Sequence, residues 1–253
     1  MSRHHRRKHR FKLKSFYVWH RYMGVTAALF MLLVAVTGIP INHTDSFRLD
    51  SRFVTADAIL SWYGIQAPDS LLSFPAGQRP VTLMGDRLYL GKQKLTGSFH
   101  HLAGAIAVDS LLMIAVDDRI LLLTREGELI ETLGQEDGIP TGIKQTGVDP
   151  QGALVIDSGD EIYSSNNDFL SWQHWTGNKQ SIQWARPVGT DAVLKKSLQQ
   201  QYRGEVLPME RLLLDLHSGR FFGPAGPWLM DAAAVLLLLL SLTGLWMWFK
   251  RRR

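Results

Sequence analysis

The sequence contains no cysteine among its 253 residues. Disulfide bonds, cysteine nucleophiles, thiolate metal sites and iron–sulfur clusters are therefore excluded. The sequence also lacks a glycine-rich loop of the kind that binds phosphate. An exported domain without disulfides must be held together by its own apolar core.

Charge is nearly absent from two long stretches near the termini. Residues 22–41, YMGVTAALFMLLVAVTGIPI, contain no charged side chain, and residues 228–249, WLMDAAAVLLLLLSLTGLWMWF, contain only Asp231. A helix of 20 residues is about 30 Å long, which matches the hydrocarbon core of a bilayer. We therefore predict transmembrane helices at 22–41 and 228–249. The first is expected to be an uncleaved anchor, because its apolar run is too long for a signal peptide and no small-residue cleavage site follows.

Acidic residues are absent from both tails. Residues 1–21 carry eight Lys or Arg and residues 250–253 are all basic, whereas residues 42–227 carry 22 acidic against 16 basic residues. Positive charge collects on the cytoplasmic side of membrane proteins. We therefore expect two cytoplasmic tails at a bacterial inner membrane, with 42–227 in the periplasm. This membrane topology accounts for the basic charge of the tails, so no nucleic-acid partner is expected.

The periplasmic segment 42–227 is expected to be mainly β, with a core at about 81–172. Short apolar runs alternate there with turn residues, as in a series of hairpins. Val108-Asp109 and Val148-Asp149 lie at equivalent points of two such units, and this 40-residue period resembles a β-propeller blade. Two or three units are too few for an ordinary propeller. The predicted fold class is a β-meander or propeller-like domain between two transmembrane helices, with minor helices.

Two minor helices are indicated outside the β core. The segment 54–65, VTADAILSWYGI, has the spacing of a short amphipathic helix, with Thr55 or Asp57 as its N-cap. The segment 190–201 is also predicted to be helical, with Thr190 as its N-cap.

Asp231 lies about one turn inside the second predicted span. An acidic side chain within a membrane is unfavourable without a partner, which His217, Arg220 or the periplasmic end of the first span can supply. Alternatively, Asp231 caps the helix or reaches the membrane surface.

Two segments carry a family resemblance. Residues 19–43, WHRYMGVTAALFMLLVAVTGIPINH, and residues 212–253, LLLDLHSGRFFGPAGPWLMDAAAVLLLLLSLTGLWMWFKRRR, resemble the first and closing helices of the PepSY-associated transmembrane family. Larger members of that family have four spans and PepSY modules. Some are inner-membrane reductases that release iron from siderophores, with b-type haems held between helices by histidines. This chain differs from them in having two predicted spans and no recognisable PepSY module.

The resemblance directs attention to His43 and His217, which are expected at the periplasmic ends of the two spans. Two imidazoles on opposite faces of a haem iron form a low-spin electron-transfer site. The two residues are therefore candidate ligands of a haem b, and Arg220 is a candidate partner for a propionate. Asp215 is expected to hold the second nitrogen of one imidazole. The residues expected to accommodate and pack the macrocycle are Gly38, Phe221 and Phe222.

His20 is a third candidate, at the cytoplasmic boundary. It precedes His43 by 23 residues, about 35 Å along a helix, so the two cannot bind one metal ion. The second span offers no histidine at that end, so His20 can hold a second haem only with a partner such as its mate in a homodimer. Alternatively, all three histidines are hydrogen-bonding residues at the bilayer surface.

Two functions follow from these observations. The first is a membrane-anchored periplasmic protein linked to electron transfer in metal or siderophore-iron reduction, with haem between His43 and His217. The second is an accessory or assembly subunit whose helices join a larger membrane complex and whose β domain binds a partner. No catalytic set of residues emerges, so enzyme status stays open.

Overall fold

The computed structural model describes residues 3–108, 110–166 and 171–251 and contains two compact units. The first unit comprises Met1–Ile65 and Arg203–Arg253, and the second comprises Gln66–Tyr202. Asp109 and Asn167, which the sequence places in predicted turns, lie outside the described residues, as do the last two residues of the basic C-terminal tail.

The first unit is helical. Its long helices are α1 (Arg3–Ile41) and α6 (Gly226–Arg251). Each is long and apolar enough to cross a membrane, over Phe16–Ile41 and Gly226–Lys250. Helix α1 begins well before the predicted span, and it ends one residue after Pro40, as the missing amide of proline favours.

Helices α1 and α6 run antiparallel. Near one end, which we call the tail end, the Phe16 and Trp246 rings lie 5.8 Å apart. The opposite end, which we call the cap end, is where α1 stops and α6 starts. Three short helices belong to the cap end: α2 (Thr44–Phe47), α3 (Asp57–Trp62) and α5 (Met209–His217).

The cap end has its own small apolar core. The buried residues are Val54, Leu60, Leu207 and Leu212. Two extended segments meet there, because Val54 donates its N–H to Leu207 O at 2.9 Å and Met209 donates to Arg52 O at 2.7 Å. These bonds join the chain that leaves α1 to the chain that enters α5. No side-chain bond caps α3, whose N-cap is Ala56, so the cap predicted at Thr55 or Asp57 is wrong.

The second unit consists of three successive antiparallel sheets. In the first two sheets the strands follow one another in chain order, and in the third the order is β12-β11-β10-β9-β13. The strands of the first sheet are β1 (Leu71–Phe74), β2 (Val81–Met84), β3 (Arg87–Leu90) and β4 (Gln93–Lys94). Those of the second are β5 (Leu102–Val108), β6 (Leu111–Val116), β7 (Arg119–Thr124) and β8 (Leu129–Leu133). Those of the third are β9 (Gln145–Val148), β10 (Leu154–Asp157), β11 (Ile162–Ser165), β12 (Trp172–His174) and β13 (Gln183–Trp184).

The predicted fold class is confirmed: two apolar helices flank a region rich in β-sheet. The 40-residue period also has a structural meaning, since Val108 ends β5 and Val148 ends β9, the equivalent strands of two sheets. One apolar core contains side chains of the first two sheets, such as Leu88 and Ile114, and another contains side chains of the last two, such as Met113 and Ile156. The likeness to propeller blades stays a prediction.

Helix α4 (Ala192–Arg203) packs Leu198 against Met84 and Tyr89 of the first sheet. The cap of α4 is Asp191, whose carboxylate accepts the N–H groups of Val193 and Leu194 at 2.9 and 3.1 Å. The prediction of Thr190 is therefore wrong by one residue. The Thr190 hydroxyl instead lies 2.6 Å from the hydroxyl of Ser73.

Candidate functional site

His217 lies at the cap end of the helix pair, in the last turn of α5. Its Nδ1 lies 2.9 Å from the hydroxyl of Thr37 on α1. Thr37 is buried, with 3% of its surface exposed. The amphipathic α5 turns Leu212 and Leu216 towards the cap-end core, and this packing positions His217 at the end of the same helix.

The hydrogen bonds of Thr37 favour one tautomer of His217. The Thr37 hydroxyl lies 2.8 Å from the carbonyl oxygen of Leu33, one turn earlier in α1. A hydroxyl has a single proton, and when it donates that proton to the carbonyl its oxygen accepts from the imidazole. His217 then carries its proton on Nδ1, which leaves a lone pair on Nε2. A neutral imidazole with a lone pair on Nε2 and its other nitrogen held by a hydrogen bond has the protonation state that metal binding requires.

Gly38 makes room for the His217 ring. A Cβ atom built on Gly38 would lie 3.1 Å from Cε1 and 3.5 Å from Nδ1 of His217. The absent side chain thus allows the imidazole to lie against the α1 backbone. The space over Gly38 therefore holds the histidine ring itself, where we had expected a porphyrin.

His20 makes an equivalent contact at the tail end. Its Nδ1 lies 3.0 Å from the Thr243 hydroxyl of α6, and that hydroxyl lies 2.8 Å from the carbonyl of Leu239. A Cβ on the next residue, Gly244, would be in ordinary contact with His20 Cε1 at 3.8 Å. Each long helix therefore contains a Thr-Gly pair that contacts a histidine from another helix of the unit. In both contacts the threonine hydroxyl lies within hydrogen-bond distance of the histidine Nδ1.

The family model for the PepSY-associated TM region matches residues 2–251. The chain belongs to this family. The resemblance carried by the two spans is thereby confirmed, and the match includes the β domain as well. Together with the two apolar helices, family membership identifies the chain as a membrane protein. No curated protein and no solved structure is significantly similar to it.

The other predicted ligand in this PepSY-associated chain, His43, follows the end of α1. Its ring is exposed and packs edge-on against Phe47, with centroids 6.1 Å apart. Among the described residues, no hydrogen bond or ring contact joins His43 to His217. Arg220 is also exposed, in a single 3₁₀ turn, Arg220–Phe222, between α5 and α6.

Asp215 does not hold an imidazole. It is buried in α5, where Oδ2 accepts hydrogen bonds from the Tyr63 hydroxyl at 3.0 Å and from Arg211 Nε at 3.1 Å. Burial, followed by the hydrogen bond to this carboxylate, raises the pKa of Tyr63 to about 12. The expectation that Asp215 holds the second nitrogen of one imidazole is wrong, because its carboxylate binds Tyr63 and Arg211 and Nδ1 of His217 contacts Thr37.

The aromatic residues before α6 also have other partners. Phe221 stacks on Trp62 with ring centroids 5.8 Å apart and accepts the indole N–H of Trp62 on its carbonyl at 2.9 Å. Phe222 packs edge-on against Phe221 and remains about half exposed. These contacts fix the 3₁₀ turn to α3.

The roles of Thr37 and Thr243 were not predicted from the sequence. A signal was present, because both long apolar runs contain a Thr-Gly pair near one end, and in each the pair is part of the segment that resembles the family. A threonine beside a glycine on an apolar helix provides a hydrogen-bond acceptor and, next to it, room for a side chain from another helix.

Proposed function

We propose that the chain is an inner-membrane-anchored periplasmic protein linked to electron transfer in metal or siderophore-iron reduction. It holds a b-type haem between His217 and His43 at the cap end. The observation that supports this proposal best is the contact between Thr37 and Nδ1 of His217, since it leaves Nε2 with the lone pair that iron requires. Family membership supports the setting in the membrane.

The residues present fit a haem by their donor chemistry. A bis-histidine b-type haem supplies a low-spin one-electron carrier. His217 donates its Nδ1–H to Thr37, which orients the ring and raises the basicity of Nε2. His43 offers an exposed imidazole three residues after Pro40, and the exposed guanidinium of Arg220 can pair with a propionate. His20, held by Thr243, is the weaker candidate for a second haem, with a second chain as its partner.

The test is a visible spectrum of the detergent-purified protein, oxidised and then reduced with dithionite. We expect a Soret band that sharpens on reduction, with α and β bands. His217→Ala and His43→Ala should each remove these bands while the protein still inserts into the membrane. His101→Ala, which changes an exposed histidine of the β domain, is the matched control and should leave the spectrum unchanged. A colourless wild type from haem-replete cells would refute the proposal.

Two variants of Thr37 separate a ligand-orienting role from a packing role. Thr37→Ser keeps the hydroxyl that bonds His217, whereas Thr37→Val keeps the volume and removes the hydroxyl. Loss of such an outer partner typically lowers affinity by about 10- to 100-fold. We expect weaker haem retention in Thr37→Val only, and equal retention in both variants would contradict this role.

The alternative is an accessory subunit that binds a partner through its β domain. The observation in its favour is strand β8, at the edge of the second sheet, where Leu129 and Ile130 are 58% and 55% exposed. Leu129 also lines a cleft of about 520 Å³ that includes Lys94 and Arg119. Exposed apolar edge strands are ready sites for association.

This alternative predicts a different response to mutation. Ile130→Lys should abolish co-purification of a defined membrane partner without changing the visible spectrum. Val193→Lys, at an exposed position of α4, is its control. If the wild type is colourless and Ile130→Lys loses the partner, the accessory function replaces the redox one.

A further inference from the structure

Asp231 is exposed on α6 within the apolar span. It lies five residues after Gly226, about 7.5 Å along the helix axis from its start. Among the described residues, no donor or cation forms a hydrogen bond or ion pair with its carboxylate. The His217 ring, a partner suggested by the sequence, is held by Thr37 instead. A carboxylate at this depth requires a partner, and the described residues of one copy do not provide it.

Arg220 has the complementary property. Its side chain is exposed, and no acceptor within the described residues binds the guanidinium. The turn that carries it lies beside the first turns of α6, because a Cβ on Gly219 would meet Gly226 and Met230. One copy of the chain therefore presents an unpaired cation and an unpaired anion at nearly the same level of the helix.

A regular apolar stripe continues from Asp231 along α6. Its members, which we call the α6 stripe, are spaced alternately by three and four residues, the pattern of helices that pair along a left-handed seam. Apart from Asp231, every residue of the stripe is at least 56% exposed. The stripe consists of Trp228, Asp231, Val235, Leu238, Leu242, Leu245 and Phe249.

The α6 stripe is separate from the face that α6 packs inside its own unit. Among the described residues of α6, the buried ones are Gly226, Ala233, Leu240 and Met247, which recur every seven residues. Ala233 follows Asp231 by two positions, which turns it about 200° around a helix. The stripe is thus available to a second helix while α1 keeps its own contact with α6.

We propose that the α6 stripe is the interface of a homodimer in the membrane, in which Arg220 of each copy pairs with Asp231 of the other. A guanidinium has five N–H donors, so this pair leaves donors free for a haem propionate. A two-fold axis repeats every contact, so one self-complementary face forms both ion pairs at once. Two guanidinium groups and two carboxylates then meet with no net charge. A single polar position in an otherwise apolar seam also fixes the register of the two helices. Charge complementarity selects a second copy over lipid, which offers Asp231 no cation within the hydrocarbon.

Disulfide trapping in native membranes tests the interface directly, because the chain has no cysteine of its own. Leu238→Cys places a thiol on the stripe. Leu239→Cys, one residue later and 47% exposed, places it about 100° away and is the control. We expect mild oxidation to link Leu238→Cys into a homodimer and to leave Leu239→Cys monomeric. Absence of the Leu238→Cys dimer would show a lipid-facing stripe and overturn the proposal, and so would trapping of a different protein.

Charge exchange tests the ion pair. In the Leu238→Cys background, Arg220→Asp and Asp231→Arg should each weaken dimerisation by about tenfold, the order expected for a polar contact between membrane helices. The double variant Arg220→Asp/Asp231→Arg restores the pairs with reversed sign and should recover the dimer. A double variant as weak as the single ones would disprove the reciprocal pair. Unchanged dimerisation in the single variants would disprove it as well.

Discussion

At Gly38 of α1, the space available to a side chain decides where His217 lies. A methyl group there would approach Cε1 of His217 to 3.1 Å, closer than side chains normally pack. Overpacking of this kind typically costs about 1–3 kcal/mol. We predict that Gly38→Ala displaces the imidazole from Thr37 and lowers the melting temperature of the detergent-purified protein. Gly24→Ala, in the same helix with nothing within 4 Å of the new methyl group, should not lower it. Equal melting of the two variants would show that the ring adjusts freely.

Tyr63 and Asp215 form a second residue-scale contact, and it has a pH signature. Burial and the hydrogen bond to Asp215 raise the pKa of Tyr63 to about 12, whereas an unfolded tyrosine titrates near 10. Between these values the folded state binds more protons than the unfolded state, so stability falls as pH rises from about 10 to 12 and is unaffected below that window. We predict that the difference in tyrosinate absorbance between wild type and Tyr63→Phe shows one phenol titrating near 12.

The control for this titration is Asp215→Asn, which removes the carboxylate and keeps a polar side chain. It should lower the pKa of Tyr63 only part of the way, because burial is the larger cause of the shift. A titration near 10 in the wild type would contradict the buried contact.

At the scale of elements, the start of α4 depends on a single side chain. Asp191 accepts two backbone N–H groups that α4 itself cannot satisfy. Loss of such a cap typically costs about 1 kcal/mol. We predict that Asp191→Ala speeds hydrogen exchange in the first turn of α4 about fivefold, measured by mass spectrometry. Asp191→Asn keeps an acceptor and should exchange at nearly the wild-type rate. Thr190→Ala should leave hydrogen exchange in the first turn of α4 as slow as in the wild type. Faster exchange in this variant would show that Thr190 is the N-cap.

The strands differ in how far the sequence reveals them. The hairpins around Gly85-Asp86 and Asp117-Asp118 are apparent because apolar runs flank turn residues, and the structure places strands on both sides of each. Strand β1 is short and follows a proline-containing loop, and β13 is two residues long. Neither strand is long enough to show an alternating apolar pattern, so both are identified only by their pairing with neighbouring strands.

At the scale of the whole molecule, the two membrane spans are predictable because length and apolarity act within one continuous segment. The candidate site is different. Thr37 and His217 are 180 residues apart, and His20 and Thr243 are 223 apart. The packing of α1 against α5 and α6 determines which threonine hydroxyl contacts which histidine. No local sequence pattern predicts that packing. The choice of Asp215 as the partner of a histidine illustrates this limit: it lies two residues from His217, yet its buried carboxylate bonds to Tyr63 and Arg211.

The distribution of charge along the chain predicts its orientation in the membrane. Both tails are basic and free of acidic residues, whereas residues 42–227 have more acidic than basic residues, and such a bias holds tails in the cytoplasm. Since the chain has no cysteine, single thiols report their side directly. We predict that a membrane-impermeant maleimide labels Ser70→Cys in intact spheroplasts and labels Ser2→Cys only after permeabilisation. The reverse pattern would place the β domain in the cytoplasm, where the proposed periplasmic electron transfer cannot occur.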